Sequence, residues 1–288
     1  MRKRWILAAF AAGLVVTVTL RRRAAFRADQ DWPTAFAHRG ASSRAPENTL
    51  EAFRLAAESG AGGLELDIHM TSDGRIVVLH DDSVNRTTDG EGFVRDMTLH
   101  EVRNLDAGYR FTPDGGATYP YRGRGVQVPE LEEVVREFPD HKVNIDIKEE
   151  QHGVEAALLK TITDACAEDR VLVVSEMPVV VERFRKLSRG GVSTGASRRE
   201  IAIFYPLSRL RLEFLLRIAY DALQVPAEYG GREVVTPRFV EVAHNRGVRV
   251  DVWTIDDPEE MRRLLDVGAD VVMTNRPEVL GEVLRMRR

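Results

Sequence analysis

Residues 62–80 read GGLELDIHMTSDGRIVVLH, and the fold turns on how this stretch is read. From 64 to 70 the pattern alternates. Leu64, Leu66 and Ile68 share one face of a strand, while Glu65, Asp67 and His69 share the other. Two carboxylates on one face of a buried strand repel each other and lose hydration, so they call for pairing, neutralisation or a cation. Only TSDGR separates this strand from the apolar run that begins at Ile76. A parallel crossover takes roughly a dozen residues or more, whereas Ser72-Asp73-Gly74 suits a tight turn. The run 76–80 therefore folds back antiparallel on its predecessor and opens an excursion.

Outward from here, short β-branched runs alternate with helical patterns. Strands are expected at 35–38, 64–70, 76–80, 142–148, 171–175, 192–196, 222–226, 249–255 and 270–275. Amphipathic helices are expected at 49–59, 131–138, 153–167, 178–187, 236–246 and 258–267, the first capped by Asn48 with Glu51 three residues on. Alternating strands and helices imply a parallel sheet or barrel. With the antiparallel strand set aside, eight parallel strands remain. The expected fold is an α/β TIM (β/α)8 barrel over residues 31–288, with a small insertion after the second strand at about 71–126.

In such a barrel the reactive groups sit at the carboxyl ends of the strands. Those ends carry His38-Arg39, then Glu65, Asp67 and His69, then Asn144, Asp146 and Lys148, and later Gln224, Trp253 and Thr274-Asn275; the hairpin run ends in His80-Asp81. Glu65, Asp67 and Asp146, converging on one axis, form a hard-oxygen donor set suited to one divalent cation, Mg²⁺ or Ca²⁺. Arg39 and Lys148 add fixed positive charge, and a cation beside Arg and Lys is a phosphate-binding combination. His38 and His80 are candidates for general acid and base. This set points to phosphate-ester chemistry. Asp81, Asp82 and His69 read as supporting residues. Trp253 fits packing at the barrel end and substrate contact equally well.

Composition limits the alternatives. The chain has 288 residues and a formal net charge of −4. Residues 1–27 hold seven basic residues and no acidic one, which leaves the remainder at −11. A body that acidic is a poor nucleic-acid binder. Cys166 is the sole cysteine, so no intrachain disulfide forms; it reads as a buried or half-buried apolar residue on a helix. Trp5–Leu20 is apolar with arginines on both sides. A cleavable signal would end in small residues, but this run ends in Arg21-Arg22-Arg23. Residues 1–30 are thus expected to be a hydrophobic helical membrane anchor and linker, with the catalytic domain on the cytoplasmic side. A secreted or extracytoplasmic location is the alternative.

The stretch HRGASSRAPENTLEAFRLAAESGAGGLELDIHMTSDGRIVVLHDDSVNRTTDGEG, followed by VPELEEVV (128–135), NIDIK (144–148), VWT (252–254) and MTNRPE (273–278), resembles the glycerophosphodiester phosphodiesterase family. The resemblance implies a TIM barrel with a small insertion. It also implies metal-dependent hydrolysis of glycerophosphodiesters to glycerol 3-phosphate and an alcohol. By that likeness His38 and His80 are the acid–base pair, Arg39 and Lys148 meet the phosphate, and Glu65, Asp67 and Asp146 hold the metal. Asp146 stands where the family often has Glu, and Asn275 where it usually has Asp. Two alternatives accompany this expectation: a lysophospholipase D-type hydrolase of membrane lysolipids, and a catalytically silent barrel that only binds. The segment IAIFYPLSRLRLEFLLRIAY (201–220) bears on the first of them. It reads either as a barrel helix with a wide apolar face or as a lip for lipid or an acyl chain.

Overall fold

A computed structural model describes residues 34–287. The expected membrane anchor at 1–30 lies outside them; among the described residues no helix is long and apolar enough to cross a membrane. The barrel strands are β1 (Ala35–His38), β2 (Gly63–Met70), β4 (Lys142–Ile147), β5 (Val171–Val174), β6 (Ser193–Thr194), β7 (Ala222–Pro226), β10 (Arg249–Trp253) and β11 (Val271–Thr274). They pair in parallel in the order β6-β5-β4-β2-β1-β11-β10-β7. The remaining gap is spanned by a parallel bridge between Gly195 and Ala222. Two backbone bonds support it: Ala196 N–H donates to the Ala222 carbonyl and Asp221 N–H to that of Thr194, both at 2.8 Å. The result is a nearly closed eight-stranded α/β barrel.

The strand period explains the interior. On β2 and β4, Leu64, Leu66, Ile68, Val143, Ile145 and Ile147 pack outward with Phe53 and Phe184 in one core cluster. The alternate residues face the barrel axis. A second cluster gathers Phe204, Phe239, Leu223, Val250 and Val252 on the β7–β10 side. Inside, Asn144 accepts from Gln224 Nε2 (2.9 Å), and buried Asp251 takes both Arg249 Nε (2.6 Å) and Nη2 (2.7 Å). These partners satisfy a polar layer that would otherwise be costly to bury.

The hairpin forms as expected. β3 (Ile76–Val78) pairs antiparallel with β2, placing Ile68 opposite Val78 and Met70 opposite Ile76. In the turn, Gly74 adopts a φ of 78° and its N–H donates to the Thr71 carbonyl. β3 ends two residues earlier than expected, which leaves His80 on a loop. The excursion continues through the short helix Leu99–Arg103 and owns a small core of Val77, Leu79, Val84, Val94, Val102 and Val126. β8 (Glu228–Tyr229) and β9 (Arg232–Glu233) form a second, exposed hairpin after β7.

Three local expectations change. The helix Leu50–Glu58 is capped by Thr49, whose hydroxyl accepts from Ala52 N–H, and not by Asn48. Asn48 instead takes a left-handed φ of 58°, a conformation Asn tolerates. Cys166 is exposed, with a φ of 50°, just past the helix Val154–Asp164. The 201–220 segment divides: Arg198–Arg209 is a barrel helix that buries Phe204, and Glu213–Leu215 is a single 3₁₀ turn with Phe214 exposed. A terminal helix, Pro277–Met286, was not expected, although Pro277 at its first turn is an ordinary start signal.

Gly63 admits no side chain, since a Cβ there would lie 2.3 Å from the ring of Phe36, which is fully buried on β1. Gly63→Ala should therefore destabilise the protein by about 1–3 kcal/mol. The measure is a lower urea midpoint at constant m value; an unchanged midpoint would mean the Phe36 ring moves aside freely.

Candidate active site

The barrel register brings the predicted residues to one mouth. His38 on β1 is level with Glu65 on β2, and Asp67 on β2 is level with Asp146 on β4. Glu65 and Asp67 are almost wholly buried. Lys148, just past β4, bridges Asp146 and Asp67, with Nζ 2.6 Å from Asp146 Oδ2 and 3.1 Å from Asp67 Oδ1. Arg39 Nε lies 3.1 Å from Asp67 Oδ2. Arg39 has a left-handed φ of 56°, and its backbone N–H donates to both the carbonyl and Oε2 of Glu65, each at 3.0 Å.

Charge bookkeeping here is uneven. Burial, then the neighbouring Asp67 and Asp146, push the Glu65 carboxyl well above its usual range. Burial also raises Asp146. For Asp67 burial acts upward too, but Lys148 and Arg39, with a hydrogen bond from Asn48, hold it below its ordinary value. Burial pulls the Lys148 ammonium down, and Asp146 and Asp67 more than reverse that, leaving it raised. Three carboxylates thus face two permanent cations.

The two imidazoles are held differently. His38 Nδ1 is 2.8 Å from Asn275 Oδ1. The amide of Asn275 is oriented by Asp256, which accepts from its Nδ2 (2.7 Å) and its backbone N–H (2.8 Å). Asn275 Oδ1 also accepts from the Ser42 hydroxyl. That oxygen can only accept, so Nδ1 of His38 carries the proton and Nε2 presents a lone pair, 3.9 Å from Glu65 Oε2. Burial lowers the His38 pKa, which keeps the ring neutral. His80 Nδ1 meets a carboxylate instead, Asp81 Oδ1 at 2.6 Å. Beneath it, buried His69 sets Nε2 3.1 Å from the His80 carbonyl and Nδ1 3.4 Å from Glu149.

A chain of ion pairs links these parts. Arg86 forks onto Asp81 (2.6 and 3.1 Å) and onto Glu47 (2.9 and 2.7 Å), and Glu47 accepts from Arg39 Nη1 (2.9 Å). Asn48 Nδ2 donates to Asp67 Oδ2 (2.9 Å). Glu47, Asn48, Arg86 and Asp256 were missed as site residues. The first three stand in the motif stretch quoted above without a distinctive signal of their own, and Asp256 stands outside every motif. Trp253 is 39% exposed and lines a cavity with Asp146 and Gln224.

Among the described residues no group of three or more His, Cys, Asp or Glu is gathered closely enough to hold a metal ion. Lys148 lies between two of the three acids. The residues nonetheless fit a hard cation. Glu65 is buried without a full counter-charge, and Asp146 Oδ1 is buried with no hydrogen-bond partner.

Fold and site define a barrel hydrolase class in which buried acids, an Arg, a Lys and two imidazoles share one mouth. Residues 38–279 match the model of the glycerophosphoryl diester phosphodiesterase family, and the chain belongs to that family. It is 36% identical over 254 residues to a glycerophosphodiester phosphodiesterase of Caldanaerobacter subterraneus subsp. tengcongensis, covering 86% of this chain and 96% of that one. It is similar to the solved structure of an Oleispira antarctica phosphodiesterase in complex with the product sn-glycerol-3-phosphate, with 25% identity, a TM-score of 0.71 and coverage of 88% and 97%. The fold is also shared with a glycerophosphoryl diester phosphodiesterase domain of Mycobacterium tuberculosis, at a TM-score of 0.76, 22% identity and coverage of 89% and 100%. As a family member the protein is a phosphoric diester hydrolase, which leaves the silent-barrel alternative without support.

Asp81 is held at about 2, first by its hydrogen bonds from Arg86 and then by His80. Its carboxylate contacts are therefore fully present above the ordinary Asp value of about 3.9 and fade only as pH falls toward 2. In Arg86→Met the Asp81 carboxyl should titrate closer to that ordinary value, so the contact with His80 is lost at a higher pH. Carboxyl NMR titration of the two proteins measures this; identical titration curves would remove Arg86 from the network.

Proposed function

We propose that the protein cleaves glycerophosphodiesters to glycerol 3-phosphate and an alcohol by acid–base catalysis from two histidines. The observation that carries this reading is the unequal support of the imidazoles. His38 is tautomerically fixed with a free Nε2 lone pair by a neutral amide, while His80 is backed by a carboxylate. The product bound in the Oleispira relative supports the same substrate class.

In this reading His38 Nε2 takes the proton of the attacking hydroxyl, from water or from the substrate's own glycerol. His80, held at Nδ1 by the Asp81 carboxylate, gives a proton to the departing alkoxide. Arg39 and Lys148 bind the phosphate oxygens and offset the charge that builds on them. Glu65, Asp67 and Asp146 would hold one divalent cation, Mg²⁺ or Ca²⁺, which supplies charge stabilisation at the phosphate.

With glycerophosphocholine as substrate, release of glycerol 3-phosphate should stop on chelation and return with Mg²⁺ or Ca²⁺. His38→Ala and His80→Ala should each lower kcat by about 10²–10⁴-fold. Full activity in chelator, or in either variant, would refute the mechanism.

We also propose that residues 5–20 anchor the chain with its barrel on the cytoplasmic face. The full chain should then sediment with membranes, resist salt extraction and be protected from external protease in intact cells. Recovery in the soluble or extracellular fraction would contradict this.

A further inference from the structure

A cavity of about 750 Å³ opens beside the catalytic mouth, within the size range that encloses small ligands. It shares Asp146, Gln224 and Trp253 with that mouth, but includes neither histidine nor any residue of β1 or β2. It is a side lobe at the ends of β5, β6, β7 and β10.

Its chemistry differs from that of the site. Much of the lining is aliphatic: Val174, Ala196 and Val225 are buried, Ile201 and Pro226 half-buried, and Ala202 exposed on the flank. The one buried hydroxyl on it, Ser175, already donates to the Ile147 carbonyl at 2.8 Å. The remaining charged groups, Glu176, Arg198 and Arg232, are exposed and so belong to the rim. The helix Arg198–Arg209 supplies one flank through Arg198, Ile201, Ala202 and Tyr205. Their spacing of i, i+3, i+4 and i+7 makes a single stripe. A different face, through Phe204, fills the barrel's own core. Within that stripe Ile201 and Tyr205 also pack against the barrel's core cluster, while Ala202 is exposed on the cavity side. The hairpin β8–β9 adds Tyr229 and Arg232 on the cavity.

A polyol placed against the aliphatic wall would lose water and meet no partner there; an ammonium group finds partners on this cavity only at its aromatic and acidic residues, Trp253, Tyr205, Tyr229, Asp146 and Glu176. A hydrocarbon chain would gain about 0.8 kcal/mol per methylene. Resting on the hydrolase reading above, we propose that this lobe receives the acyl chain of a monoacyl glycerophosphodiester. The phosphate then lies at the charged half of the mouth. Hydrolysis joins the water oxygen to phosphorus, breaks the bond from phosphorus to the head-group oxygen, and passes a proton to that alkoxide. The products are a monoacylglycerol phosphate and the free head-group alcohol.

The test uses the full-length protein and a series from glycerophosphocholine to its octanoyl and dodecanoyl monoacyl derivatives, each below its micelle concentration. The expected result is a kcat/KM that rises with chain length, by about tenfold or more at dodecanoyl. Ala202→Trp, which fills the exposed flank of the lobe, should lower the ratio of dodecanoyl to chain-free kcat/KM by about tenfold. Calorimetry with dodecylphosphocholine is a readout that needs no turnover; binding should carry a negative heat-capacity change and weaken in Ala202→Trp. A flat chain-length series, or dodecylphosphocholine binding that is absent or indifferent to Ala202→Trp, would overturn the inference while leaving glycerophosphodiester hydrolysis intact. Chain binding sensitive to Ala202→Trp, with no hydrolysis of any member of the series, would instead uphold the lobe and refute the hydrolase reading.

Discussion

Three carboxylates cannot share the inside of a barrel without positive charge among them, and the whole mouth is arranged around that constraint. Lys148 straddles Asp67 and Asp146, and Arg39 reaches Asp67 from the other side. Both cations stand one residue beyond the end of a strand, where the backbone is free to turn the side chain back over the axis. Arg39 does this with a left-handed conformation, which few residues other than Gly, Asn and Asp adopt cheaply. The strain is held by its N–H, which finds two acceptors on Glu65. The interactions that neutralise the acids also fix the residues suited to binding phosphate.

The same charges tie the insertion to the barrel. Glu47 sits between Arg39 and Arg86, and Arg86 continues to Asp81 and so to His80. His80 lies on a loop of the excursion, beyond the end of β3. Its position relative to His38 is therefore set by this chain of pairs and by His69 under its carbonyl, and not by the sheet alone. Exposed ion pairs contribute little to stability. Here their value is geometric, because they align two imidazoles that come from different parts of the molecule.

Much of this is legible in the sequence alone. The period-two alternation at 62–70 and 142–148 separates outward aliphatics from inward polar groups, and the short TSDGR link forces the hairpin. Those two readings fix the barrel, the insertion and the acids. What escaped was decided by partners distant in sequence. Asn48 looks like a helix cap, because local chemistry alone cannot reveal that Asp67 claims its amide. Asp256 acquires a role only when β10 and β11 bring it beside Asn275. The two-residue strand Ser193–Thr194 is too short for its pattern to fix its ends, and Cys166 is exposed because the chain turns just past a helix whose length the pattern overstated.

The mouth is divided by sequence into two halves of unlike character. β1, β2 and β4 end in His-Arg, Glu-x-Asp and Asp-x-Lys, whereas the segments after β5, β6 and β7 run Ser-Glu-Met, Gly-Ala-Ser and Ala-Glu-Tyr. The helix Arg198–Arg209 lines the lobe with Ile201, Ala202 and Tyr205, of which Ile201 and Tyr205 also pack on the barrel core. A barrel that needed only closure would fill that space with larger side chains, since interiors pack to crystal-like density. On the function proposed above, the charged half meets the phosphate. The aliphatic half is then the part free to distinguish one diester from another, and the contact it offers is to hydrocarbon, the interaction that water-soluble head groups lack.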